Sequence, residues 1–113
     1  WLVTPAFDLT GATDAYINFK IAQHHIEDED NNTLEVFVST DFDGTNVTTA
    51  TWEKQNVAIP GEDIPWYAFQ DVGLIDVSSY SGNLYVAFKY TGSGTDTSLD
   101  GGYFVDDVLF LKK

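Results

Sequence analysis

The sequence predicts an all-β fold, an antiparallel two-sheet sandwich of the jelly-roll type. Two observations predict it. Apolar and polar residues alternate at period two through four separate runs. Turn-forming residues separate those runs by loops of mixed length, and no long helical periodicity interrupts them.

Residues 1–4 open the chain as a weak strand candidate. Residues 15–22 form the first clear strand, with Ile17, Phe19 and Ile21 on one face and Tyr16, Asn18 and Lys20 on the other. A polar, acidic loop follows over 24–33. Residues 34–39 form the next strand, with Leu34, Val36 and Val38 inward and Glu35 and Phe37 outward. Residues 51–57 and 66–72 are weaker candidates. Residues 76–80 read as a short helical turn, closed by Ser81-Gly82. Residues 83–90 place Leu84, Val86 and Phe88 inward and Tyr85 and Lys89 outward. A glycine-containing loop, 93–102, leads to the last strand, 102–111. No internal repeat or linker divides the chain, so residues 1–113 are expected to form one domain.

The last strand carries the least ordinary pair in the sequence. Asp106 and Asp107 are adjacent inside an apolar run. Strict alternation would turn one of them toward the core, where a lone carboxylate is costly. A calcium ion would satisfy it with oxygen coordination; so would backbone N–H groups or a tyrosine hydroxyl. Asp41 and Asp43, in Asp41-Phe42-Asp43-Gly44, resemble part of a calcium loop, although Trp52 stands where a bidentate glutamate would close an EF-hand. The alternative for these two is an Asp-capped turn. The run from His24 to Asn32 could bind a transition metal or calcium, but adjacent histidines at a strand end are expected to diverge and to chelate poorly, and a charged, mobile loop is the alternative.

Charge narrows the partners. Eighteen acidic residues face five lysines, with no arginine, for a net charge of −13. Nucleic acid is excluded as a partner, because its affinity rests on cationic neutralisation of phosphates. No apolar run approaches the roughly 20 residues of a membrane-spanning helix. With no cysteine there is no disulfide or thiol chemistry. Asn31-Asn32-Thr33 and Asn46-Val47-Thr48 match the glycosylation sequon.

Aromatic residues make up 15% of the chain. Sugar rings stack on exposed aromatic faces while nearby polar groups bond the hydroxyls. The outward residues Tyr16, Phe37 and Tyr85, with Lys89, would form such a face if their strands are neighbours. Trp66 and Tyr67, after Ile64-Pro65, are the alternative, on a loop. Ordinary packing would also account for any one of these rings. No nucleophile elbow, phosphate loop, HExxH or dinucleotide fingerprint is present. A binding module is expected rather than an enzyme.

Four segments resemble motifs of one family in order. Trp1-Leu2-Val3-Thr4-Pro5-Ala6-Phe7-Asp8-Leu9-Thr10-Gly11-Ala12 resembles an opening motif W-L-[IV]-[ST]-P-x-[IFL]-D-L-[ST]-G-A. Val36-Phe37-Val38-Ser39-Thr40-Asp41-Phe42-Asp43-Gly44 is similar to V-x-V-S-T-D-[YF]-D-G. Ile75-Asp76-Val77-Ser78-Ser79-Tyr80-Ser81-Gly82 and Val86-Ala87-Phe88-Lys89-Tyr90 are similar to I-D-L-S-x-Y-x-G and [IV]-A-F-[KR]-Y. Phe104-Val105-Asp106-Asp107-Val108 is similar to the closing [WF]-x-[IV]-D-[DN]-[VI]. Together they resemble the bacterial choice-of-anchor J domain, related to cleaved-adhesin and MAM-like jelly rolls. The resemblance implies a secreted or outer-surface module appended to a larger bacterial protein and packed beside its neighbouring domains. It also implies a polysaccharide or oligosaccharide ligand, or instead a structural or protein-adhesion role, and structural calcium in some relatives. Asp106, Asp107, Asp41 and Asp43 are the residues that match motif positions for that calcium. One or two family strands that precede the opening motif are expected to be missing here.

Overall fold

The computed structural model describes all 113 residues. The chain is an antiparallel β-sandwich. Its strands are β1 (Leu2–Val3), β2 (Phe7–Asp8), β3 (Ala15–His24), β4 (Thr33–Ser39), β5 (Glu53–Lys54), β6 (Gln70–Asp71), β7 (Ile75–Asp76), β8 (Asn83–Thr91) and β9 (Gly102–Lys112). A single 3-10 turn, Thr97–Leu99, is capped by Asp96.

One sheet runs β1-β8-β4-β5, with β2 beside β1 on the same edge of β8. In the other, β3 pairs with β9 along one edge and with β6 and β7, end to end, along the opposite edge. The chain changes sheet after β2, β3, β5, β7 and β8. Frequent crossing of this kind is what a jelly roll requires.

Alternation of side chains explains the core. Ile17, Phe19 and Ile21 of β3, Leu34, Val36 and Val38 of β4, and Leu84, Val86 and Phe88 of β8 belong to one cluster of 12 buried residues. Phe19 meets Phe88 edge-on across the sandwich, with ring centroids 5.1 Å apart. The intervening residues Tyr16, Asn18, Lys20, Glu35, Phe37, Tyr85 and Lys89 face outward and are half-buried.

The last strand departs from the alternation expected of it. Asn18 pairs with Leu109 and Lys20 with Asp106, so β9 spends one residue more than β3 over that interval. The extra residue is a β-bulge, with Asp107 in the left-handed region at φ 52°. The bulge reverses the parity of β9. Tyr103 and Val105 pack inward before it, and Val108 and Phe110 after it. Asp106 and Asp107 are therefore both exposed, which corrects the expectation that one must be buried.

Three further corrections concern the weak elements. The strands expected over 1–4, 51–57 and 66–72 shrink to two paired residues each, β1, β5 and β6. The short turn expected over 76–80 is present over 77–80, where the Val77 carbonyl accepts from the Tyr80 N–H at 3.2 Å, while Asp76 belongs to a strand. Two-residue β2 and β7 are additional. No helix is long and apolar enough to cross a membrane.

Candidate functional site

Most of the outward aromatic rings gather into two separate groups, one on each side of the sandwich. On the β8–β4 sheet, Phe37 pairs in register with Ala87 and Ser39 with Tyr85. Phe37, Tyr85 and Lys89 thus share one face, as expected. Three rings not anticipated there join them. Trp1 lies 5.5 Å from Phe37 and 5.4 Å from Trp52, and Phe42 meets Tyr85 edge-on at 5.0 Å. Lys89 Nζ sits 5.4 Å above the Trp1 ring. Trp52 is anchored by its indole N–H, which donates to the Val47 carbonyl at 2.9 Å. Most of these rings cover one another, and only Trp1 is broadly exposed.

Tyr16 is not part of this face. It lies on β3 in the other sheet, opposite Asp76 of β7 and Leu111 of β9. Alternation separates inward from outward but does not say which sheet a strand joins, so the grouping of Tyr16 with Tyr85 and Phe37 is corrected.

The second group surrounds the end of β3. Trp66, Tyr67, Phe69 and Phe104 are 49%, 56%, 46% and 44% exposed. His24 and His25 link them into one surface. His24 stacks on Tyr67 with planes 6° apart and centroids 5.7 Å apart, and it lies 5.4 Å from Phe104. The His25 and Trp66 centroids are 3.9 Å apart, and Phe69 is 6.4 Å from Phe104.

This platform is held by a buried amide. Gln23, the last inward residue of β3, is fully buried. Its NH2 group donates to the Ile64 carbonyl at 2.6 Å and to the Gly61 carbonyl at 3.2 Å, and its Oε1 accepts from the Ile26 N–H. The Tyr67 N–H bonds the Gln23 carbonyl at 2.8 Å. Glu29 and Glu62 add a reciprocal clasp, each carboxylate accepting from the other's backbone N–H. These bonds fix the 61–67 loop against the strand end. Tyr67 adopts φ 63°, which turns its ring back over His24.

His24 and His25 also depart from expectation. They do not diverge. His25 takes φ 56°, and the two Nδ1 atoms approach to 2.9 Å.

The four aspartates matched to calcium positions are not brought together. Asp41 accepts from the Ser39 hydroxyl at 2.7 Å and from the Thr51 N–H at 2.8 Å, tying the end of β4 to the approach to β5. Asp43 caps a turn by accepting from the N–H groups of Thr45 and Asn46. These hydrogen bonds hold both carboxyls below the usual carboxylate range. Asp106 and Asp107 lie in the β9 bulge on the other sheet, with Lys20 Nζ 3.3 Å from Asp107 Oδ2. No group of three His, Cys, Asp or Glu residues forms a metal cage. As placed, the four do not fit one calcium site.

Two further features went unread in the sequence. A cavity of about 380 Å³ near Tyr103 is lined by Glu29, Asp30 and Asp63. A cleft of about 580 Å³ opens between the sheets where Trp1 and Leu2 stand over Tyr103 and Val105. No family model, curated protein or solved structure matches this chain.

Proposed function

We propose that the chain is a non-catalytic carbohydrate-binding module whose sugar-binding surface is the platform of Trp66, Tyr67 and Phe104. The observation that carries this reading is the gathering of four half-exposed aromatic rings on one surface, held by a buried polar anchor. Exposed aromatic patches of this kind mark binding sites, and flat rings match the apolar faces of pyranose sugars. The strongly negative chain favours neutral over anionic glycans. The motif resemblance supports a setting in a larger secreted or surface protein of bacteria.

Retention on neutral and anionic polysaccharides, measured with calcium and then with chelator, tests the proposal. Retention of the chain on a neutral glycan, weakened in Trp66→Ala, is the expected result. No retention on any glycan would remove it, and chelator sensitivity would report a structural ion.

A specific observation favours a second reading, a structural or adhesion module. Tyr103, Val105, Val108 and Phe110 on the inner face of β9 stay half-buried, and the cleft beside them exposes apolar residues including Leu2. A neighbouring domain packed there would cover this side. It predicts no glycan affinity and a stability gain on joining the partner.

A further inference from the structure

We propose that His24 and His25 form a bidentate site, through their two Nδ1 atoms, for a divalent transition-metal ion that prefers cis, right-angled ligands, Cu2+ or Ni2+. The inference does not rest on the glycan reading, although the two histidines lie within the same aromatic surface.

Distance is the first support. The Nδ1 atoms are 2.9 Å apart. With metal–imidazole bonds of about 2.0–2.1 Å, that separation subtends about 90° at the ion. This is the edge of a square-planar or octahedral sphere, whereas a tetrahedral ion would spread the two nitrogens to about 3.3 Å. Imidazole suits both copper and nickel, and tetragonal nitrogen sites select them.

Backbone geometry is the second support. Consecutive residues of a strand point to opposite faces. His25, just past the end of β3, escapes this through its left-handed φ of 56°, a conformation that non-glycine residues rarely adopt. The turn brings its ring beside that of the preceding residue.

Gly102 is the third. It pairs with His24 across β3 and β9. A Cβ built on Gly102 would lie 2.5 Å from His24 Nε2, so the imidazole occupies space that only glycine leaves open. Tyr67 then fixes the ring plane of His24 by parallel stacking. The net charge of the chain, −13, favours approach of a cation.

Without an ion, one Nδ1–H donates to the other Nδ1. Binding requires both rings to carry their proton on Nε2 and to present Nδ1 as a lone pair. With no third side-chain ligand, water or an added ligand completes the sphere.

The test is a titration of the chain with Cu2+ and with Ni2+ in a non-chelating buffer, read by calorimetry and tryptophan fluorescence. Trp66 lies against His25, so an ion at this site quenches it at short range. The expected result is one ion per chain, with quenching that is mostly lost in Trp66→Phe. His24→Ala and His25→Gly should each weaken binding tenfold or more. His25→Gly keeps the fold, because glycine adopts the same positive φ without strain. Absence of binding would overturn the proposal and leave a simple histidine–histidine hydrogen bond. Quenching that survives in His24→Ala and His25→Gly would place the ion elsewhere and would equally overturn it.

Discussion

Lys20 pairs in register with Asp106, yet its ammonium lies 3.3 Å from Asp107, the next residue along. That offset is the bulge seen from its side chains. Asp107 occupies the left-handed turn of the bulge, and the Asp106 carboxylate accepts from the Asp107 N–H at 2.8 Å. Both acids are exposed, and the Lys20–Asp107 ion pair is a surface contact of small worth.

The bulge therefore makes a specific prediction. Asp107→Gly loses a surface ion pair and gains a residue suited to φ 52°. Its stability should stay within about 1 kcal/mol of the parent. Asp107→Val forces a β-branched residue into the same conformation and should cost about 1–2 kcal/mol or more. Chemical denaturation of the two variants checks this. A large loss in Asp107→Gly would show that the carboxylate holds something buried.

The left-handed residues mark the limit of what the sequence makes legible. In β3, β4 and β8, period two identifies the inward residues, because each of these strands keeps its own alternation, β3 even where it passes the bulge of β9. β9 is legible as a strand, but its bulge is a property of pairing, two residues against one, and Asp106-Asp107 alone does not announce it. The convergence of His24 and His25 is hidden for the same reason, since it follows from one backbone angle. Phe37 and Tyr85 share a face because β4 and β8 are neighbours, while Tyr16 has the same alternation on the other sheet. Phe104 could have been read as outward from its place before Val105, but its meeting with Tyr67 depends on the loop that Gln23 anchors.

Gln23 supplies the next prediction. Gln23→Leu keeps the volume and removes the amide. It leaves the half-buried Ile64 carbonyl and the buried Ile26 N–H without their partner. Loss of about 1–3 kcal/mol follows from such unsatisfied groups. The 61–67 loop should also loosen, seen as a red-shifted and more quenchable Trp66 emission. An unchanged spectrum would mean that the loop is held by the Tyr67 N–H and the Glu29–Glu62 clasp alone.

Alkali should act through Tyr103. Burial, then the negative neighbours Tyr90 and Glu29, pushes its hydroxyl up to about 12 from 10.0. The hydroxyl also donates to the Asn32 carbonyl at 3.2 Å. A raised phenol favours the neutral form in the folded state. Its contribution is whole below pH 10 and declines as pH rises from there through about 12. Melting temperature should fall across that window, and less steeply in Tyr103→Phe. Equal slopes would remove Tyr103 as the cause.

Acid should act through the turn aspartates. Hydrogen bonds from Asn46 and Thr45 hold Asp43 below its ordinary 3.8. A lowered carboxyl stabilises the fold above the unfolded value, and the benefit disappears as pH falls below it through the folded one. Thermal melts should therefore drop below about pH 4. Asp43→Ser keeps a turn-capping oxygen without a titrating group, so its acid decline should be shallower. An identical decline would assign the acid sensitivity to the other aspartates.

The two aromatic groups separate the readings of function. Trp66, Tyr67 and Phe104 offer open ring faces, whereas Phe37 packs against Trp1 and Tyr85 against Phe42, and both are half-buried. A sugar gains from stacking only on a ring that water can reach. By analogy with bases stacked on aromatic side chains, each productive ring contributes about 1–3 kcal/mol. Alanine at Trp66, Tyr67 or Phe104 should therefore weaken glycan binding by roughly tenfold or more. Alanine at Tyr85 should change affinity little while lowering stability, because its ring packs edge-on against Phe42. Isothermal titration with the retained glycan, paired with thermal melts of each variant, distinguishes these effects. The reverse pattern, affinity lost at Tyr85 and kept at Trp66, would move the sugar surface to the β8–β4 sheet, where Lys89 and Trp1 already stand together.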